Sequence, residues 1–167
     1  MTPSQLVVIG QSLGTGIAAH LSVTLAKRGS PIAGTVLMSP YTSMAQVFDD
    51  HLPLIPIGWA VSEAYRTEDL AKAMTPPILM VHGEPDTVIG IRHSRSLAEL
   101  LGSRAKLSII RGAHHNDLWD QTPVLRTVQG FIHQLAARSQ NQRRPQPLHR
   151  AAISPNELSL SRKRHQL

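Results

Sequence analysis

Residues 10–14, Gly-Gln-Ser-Leu-Gly, stand between a β-branched apolar run, Leu6 to Ile9, and a stretch with apolar residues at Leu13, Ile17, Leu21 and Leu25. A spacing of four is the repeat of one helix face. The junction therefore reads as strand, sharp turn and helix with a serine at its centre, and it constrains the fold more than any other feature. Gly10 and Gly14 leave room for a tight, strained turn that lifts the Ser12 side chain clear of the backbone. Ser12 then lies at the start of a helix, where the Leu13 N–H points toward any negative charge developing nearby. The plain structural alternative is that Ser12 caps the helix.

The same alternation continues downstream. Gly29-Ser30-Pro31 closes the first helix, and Thr35 to Met38 and Ile78 to His82 are further buried strands. Arg92 to Leu101 is a helix ended by Gly102, Leu107 to Ile110 is a fourth strand, and 117–137 is mostly helix. Short apolar strands alternating with helices define an α/β class with a mostly parallel sheet covered by helices on both faces.

Charge divides the chain. Residues 138–167 hold seven Lys or Arg against one acid, Glu157, leaving ten basic and ten acidic residues for 1–137. The overall charge of +6 therefore belongs to a tail and not to the fold. That tail, rich in Gln, Arg, Pro and Ser and without an aromatic residue, is expected to be disordered, because it has too little apolar surface to offset its ordering entropy. It offers no stacking platform for single strands, so no nucleic-acid partner is expected. No apolar run reaches the roughly 20 residues of a membrane span. The chain has no cysteine, which excludes disulfides and a cysteine nucleophile and fits a reducing, cytoplasmic setting.

Gly14-Thr15-Gly16-Ile17-Ala18-Ala19 also matches a dinucleotide-binding turn, G-x-G-x-x-A. That motif needs an acid roughly 20 residues on to hold the ribose. The first acid in this chain is Asp49, well past the second strand, so the dinucleotide reading fails. A serine nucleophile instead needs a base and an acid to orient it. The third strand runs into His82-Gly83-Glu84-Pro85-Asp86 and the fourth into Gly112-Ala113-His114-His115-Asn116-Asp117. Both are strand ends at the carboxyl edge of the sheet, where open α/β folds bind ligands. The spacing of His114, Asp117 and Asp120 matches no metal-ligand pattern, and no metal or organic cofactor is expected.

Four pieces in this order carry a family resemblance: Gly10-Gln-Ser-Leu-Gly14, Ser39-Pro-Tyr-Thr-Ser43, Pro77-Ile-Leu-Met-Val-His-Gly83 with Asp86, and Gly112-Ala-His-His-Asn-Asp117. Residues 5–135 resemble the C-terminal half of an α/β-hydrolase, and are most similar to the small serine hydrolases of the ABHD type. The resemblance implies Ser12 as nucleophile, Asp86 as orienting acid and His115 as base, with His114 the alternative because the family carries glycine there. It implies an acyl-enzyme route to cleavage of a carboxylic ester or amide, with a small acyl ester or amide as substrate. Only nine residues precede Gly10, whereas a complete member has several strands before the nucleophile strand. The expectation is a partial domain over 1–137 with the nucleophile strand at a sheet edge and Leu13 as the single oxyanion donor. An alternative follows from the same truncation: an inactive remnant without function, or one using that edge to bind a protein partner. The segment 40–75 lies where this fold inserts its cap; Leu54 and Trp59, with Tyr41, are candidate substrate contacts. For Leu54 and Trp59 packing onto the sheet is an equal reading, and Tyr41 and Ser43 also fit a turn and a helix start.

Overall fold

The computed structural model describes residues 2–52, 66–75 and 77–143. Leu54, Trp59 and residues 144–167 lie outside them. Four strands, β1 (Val7–Gln11), β2 (Gly34–Met38), β3 (Ile78–Gly83) and β4 (Ala105–Ile110), form one sheet in the order β1-β2-β3-β4. Every pairing is parallel, with Ile9 opposite Val36, Val36 opposite Leu79 and Leu79 opposite Lys106. Parallel neighbours need crossovers, and these are the helices α1 (Gly14–Lys27), α2 (Met44–His51), α3 (Thr67–Ala71) and α4 (Ile91–Leu101). The final helix, α5 (Thr122–Arg143), follows β4.

Helices cover both faces. On one, Ala18, Ala19 and Val23 of α1, Ala71 of α3 and Leu97 and Leu101 of α4 pack on Leu37, Ile78 and Met80. On the other, Val124 and Val128 of α5 with Leu118 pack on Val36, Met38, Leu79 and Val81. β2 and β3 are buried along their whole length, which is why they read as continuous apolar runs. Among the described residues β1 and β4 are the edge strands, and both are only partly buried. Among the described residues β1 pairs with β2 alone.

The helix expected from the Leu13, Ile17, Leu21, Leu25 spacing is present as α1, and most of that stripe points outward, with Ile17 60% exposed, while the buried face carries Thr15, Gly16, Ala18, Ala19, Ser22 and Val23. Close approach to the sheet selects small residues: a Cβ at Gly10 would sit 2.3 Å from the Gly14 carbonyl oxygen and 2.8 Å from Ala18 Cβ. One expectation needs correction: the tail boundary moves, because residues 138–143 continue α5. Arg and Gln are good helix formers, and extending a docked helix avoids the cost of nucleating one. Among the described residues, no helix is long and apolar enough to cross a membrane.

Candidate active site

Ser12 follows the last residue of β1 with φ of 52°, a left-handed value rare outside glycine. Its N–H donates to Met38 O (2.9 Å), and its carbonyl accepts from Thr15 N (2.9 Å) and Thr15 Oγ1 (2.6 Å). The turn is thus pinned to β2 behind it and to the first turn of α1 ahead. The two motif glycines are unequal. Gly10 has no room for a side chain, whereas a Cβ at Gly14 would meet nothing within 4 Å. Gly16 makes space for Tyr41, whose hydroxyl would be 2.3 Å from a Cβ there. Within the Gly14-x-Gly16 pattern, Gly16 therefore serves protein packing, while Gly14 faces open space.

The strand ends bring three side chains into line. His115 Nε2 is 2.9 Å from Ser12 Oγ, and His115 Nδ1 is 2.8 Å from Asp86 Oδ2. Asp86, at the acid position, can only accept, so Nδ1 carries the hydrogen and Nε2 is left to accept from the Ser12 hydroxyl. His114 is turned away: it is exposed, and its Nδ1 meets the Pro85 carbonyl at 3.1 Å. The serine, 103 residues from the histidine in sequence, is held beside it by tertiary structure alone.

Asp86 is the most heavily hydrogen-bonded group in the site. Oδ1 accepts from Val88 N and Ile89 N, both at 2.9 Å. Oδ2 accepts from Ser39 Oγ at 2.8 Å and from His115, and lies 3.4 Å from His82 Nε2. Burial alone would raise its pKa. The His82 Nε2–H, shared with the Ile89 carbonyl, together with donation from the Ile89 N–H, His115 and Ser39, outweighs that penalty and holds the carboxyl well below the usual carboxylate range. Ser39 is itself strained, with φ of 46° at the end of β2. His82, next to last in β3, is fully buried, as its sequence context suggests. Its Nε2–H donates to Ile89 O at 2.8 Å, while Nδ1 accepts from Ser94 Oγ at 2.6 Å.

Further groups brace the acid loop from the side of α2. His51 Nε2 donates to Val88 O at 2.8 Å. Buried His93 meets Thr42 Oγ1 at 2.7 Å and Asp50 Oδ2 at 3.0 Å, and Asp50 also pairs with Arg92. Burial first, then the Arg92 charge and His82, push the His93 pKa down to about 4, so the ring is neutral near pH 7. Glu84 is exposed. The sequence offered no partners for His51, His93 or Ser39, because each partner lies 37 to 51 residues away. Ser43 caps α2, accepting from Gln46 N at 3.2 Å. Tyr41, a candidate substrate contact, has no exposed surface; its hydroxyl donates to Leu13 O at 3.4 Å, behind the turn. Leu13 is half exposed, and no acceptor among the described residues takes its N–H.

A parallel sheet between two helical layers, with a strained serine turn at one strand end and a His–Asp pair from two later ones, is the architecture of a hydrolase fold. A family model described as alpha/beta hydrolase fold matches residues 1–54. The human alpha/beta hydrolase domain-containing protein 17B is 31% identical over 79% of this chain and 43% of its own length. The lysophosphatidylserine lipase ABHD12 of Danio rerio is 29% identical over 64% of this chain and 31% of its own length. Among solved structures, the esterase RhEst1 from Rhodococcus sp. ECU1013 superposes with a TM-score of 0.59 at 18% identity, over 80% of this chain and 67% of that one. The chain belongs to the α/β-hydrolase superfamily. It spans less than half the length of the curated relatives it matches, 48% of the mycobacterial protein Rv2307c for example.

Proposed function

We propose that the chain carries the catalytic triad of a serine hydrolase that cleaves a carboxylic ester or amide of a small acyl substrate through an acyl-enzyme. The observation that supports this most is the continuous relay Ser12 Oγ, His115 Nε2, His115 Nδ1, Asp86 Oδ2, with both steps under 3 Å. Ser12 Oγ attacks the carbonyl carbon while His115 Nε2 takes its proton. The oxyanion that forms accepts from the Leu13 N–H at the start of α1. Asp86 keeps the imidazole in the Nδ1–H tautomer and stabilises the imidazolium. The leaving alkoxide or amine departs with the proton from Nε2, and water attacks the Ser12 ester with His115 again as base. The similarity to the zebrafish lipase and the fold shared with an esterase favour acyl esters as the first substrates to try.

The experiment is intact-mass detection of covalent labelling by a fluorophosphonate, with Ser12→Ala as control. One adduct per chain that the substitution abolishes is the expected result. A folded chain that takes up no label contradicts the proposal. A second reading, a binding module without turnover, is favoured by one observation. Among the described residues the outer edge of β1 is unpaired, and it adjoins an exposed apolar stripe, Ile9, Leu13, Ile17 and Leu21, suited to pairing with another chain.

A further inference from the structure

We infer that Gln11 is a positioning residue: it grips the loop that carries His115 at two points and so sets the distance from the imidazole to Ser12. The inference rests on the reading of Ser12 and His115 as nucleophile and base.

The sheet order poses the problem. β2 and β3 lie between β1 and β4, and strands about 4.8 Å apart put the axes of β1 and β4 roughly 14 Å from each other. The loop leaving β4 must cross two strand ends before His115 reaches Ser12. On the β3 side it is fastened by His114 Nδ1 to the Pro85 carbonyl and by His115 Nδ1 to Asp86. Those contacts hold the loop two strands away from the nucleophile. Among the described residues, the hydrogen bonds that tie it to the end of β1 are those of Ser12 and Gln11.

The Gln11 amide makes two of them. Its Oε1 accepts from Trp119 Nε1 at 2.9 Å, and its Nε2 donates to the His115 carbonyl oxygen in a longer contact of 3.4 Å. An indole N–H only donates, so Oε1 must face Trp119, which leaves the amide NH₂ for the carbonyl. Trp119 is itself seated, partly buried, against the cluster that includes Met38, Val81 and Leu118. One side chain on the elbow strand thus holds residues 115 and 119 together. Both bonds need a donor and an acceptor on one arm of this length. Leucine supplies neither, and glutamate supplies only the acceptor.

The test compares the 167-residue chain with its Gln11→Leu, Gln11→Glu and Trp119→Phe variants. Two readouts are taken: the kinetics of fluorophosphonate inactivation, and hydrogen exchange of the Trp119 indole, whose signal is assigned by its loss in Trp119→Phe. In Gln11→Leu the maximal inactivation rate is expected to fall on the order of 10- to 100-fold, as for a misplaced catalytic group, with the reagent's half-saturating concentration unchanged. Indole exchange should quicken while the melting temperature holds. Gln11→Glu, which keeps the acceptor for Trp119, should retain the slow indole exchange and lose an intermediate share of the rate. Wild-type labelling with an unaltered rate in Gln11→Leu overturns the positioning role alone, as does an indole equally protected in that variant. A folded wild type that never labels overturns the reading of Ser12, and the positioning role with it.

Discussion

The carboxyl ends of β3 and β1 are built differently, although each supplies one end of the same relay. At the end of β3, Asp86 is buried, sits beside strands on both sides and receives donors from Ser39, His115, Val88 and Ile89, with His82 close by. At the end of β1, Ser12 has one neighbouring strand among the described residues, and the helix it begins shows its large apolar side chains to solvent. The acid is over-determined by its surroundings. The serine depends on backbone strain and on two tethers across the sheet. The two ends should therefore fail in different ways: side-chain truncations around Asp86 strike stability and activity together, whereas side-chain truncations around Ser12 strike activity first.

The largest effect is expected at the acid. Asp86→Asn leaves an amide where His115 Nδ1 needs an acceptor, and the labelling rate of Ser12 should drop by about 10⁴. The same carboxylate links stability to pH. Its folded pKa is depressed, so below an unfolded value of about 3.9 the unfolded chain binds more protons. The stabilisation it contributes is present above that pH and is lost as pH falls toward the folded pKa. Acid titration of unfolding should show that loss in the wild type and a flatter profile in Asp86→Asn.

Next come the glycines. A Cβ at Gly83 would lie 2.1 Å from the Ala113 carbonyl oxygen, and one at Gly10 would lie 2.3 Å from that of Gly14. Both obstacles are backbone, so Gly83→Ala and Gly10→Ala should each destabilise by about 1–3 kcal/mol in denaturant melts. Gly14→Ala, facing open space at the helix start, should be neutral or slightly stabilising. An equal penalty at all three would break the account of the turn.

Ser39→Ala removes one donor of several. It should cost about 1 kcal/mol and slow labelling several-fold, a far smaller loss than at Asp86. The smallest effect is expected on the outer face of α1, where Ile17→Gln should shift stability by no more than about 0.5 kcal/mol. A loss of several kcal/mol there would mean that this face is covered in solution, and the contrast between the two strand ends would need redrawing.

Much of this architecture was legible in the sequence, for physical reasons. β2 and β3 announce themselves because burial on both faces demands uninterrupted apolar runs, and Gly102, at φ of 55°, does end its helix. That Ser12, Asp86 and the His114–His115 pair each lie just past a strand, in that order, was legible in the sequence. The inner face of α1 was not. A period-of-four rule picks out large apolar residues, while the surface against the sheet is chosen for smallness, as Gly16, Ala18 and Ala19 show. Gln11 was hidden for another reason: its partners are 104 and 108 residues away, and nothing local marks an amide as a clamp. The helical stretch 138–143 was missed because composition scores a segment for burial and ignores the ease of extending a helix already docked.

The central claim is that Ser12 becomes acylated. It is tested most directly by mixing the chain with an activated short-chain acyl ester, quenching in acid within the first turnover and mapping the mass shift by peptide. The account predicts one acyl group on the peptide containing Ser12, none in Ser12→Ala, and little in His115→Ala. Leaving group released with no acyl group on that peptide, or equal release from Ser12→Ala, would contradict it.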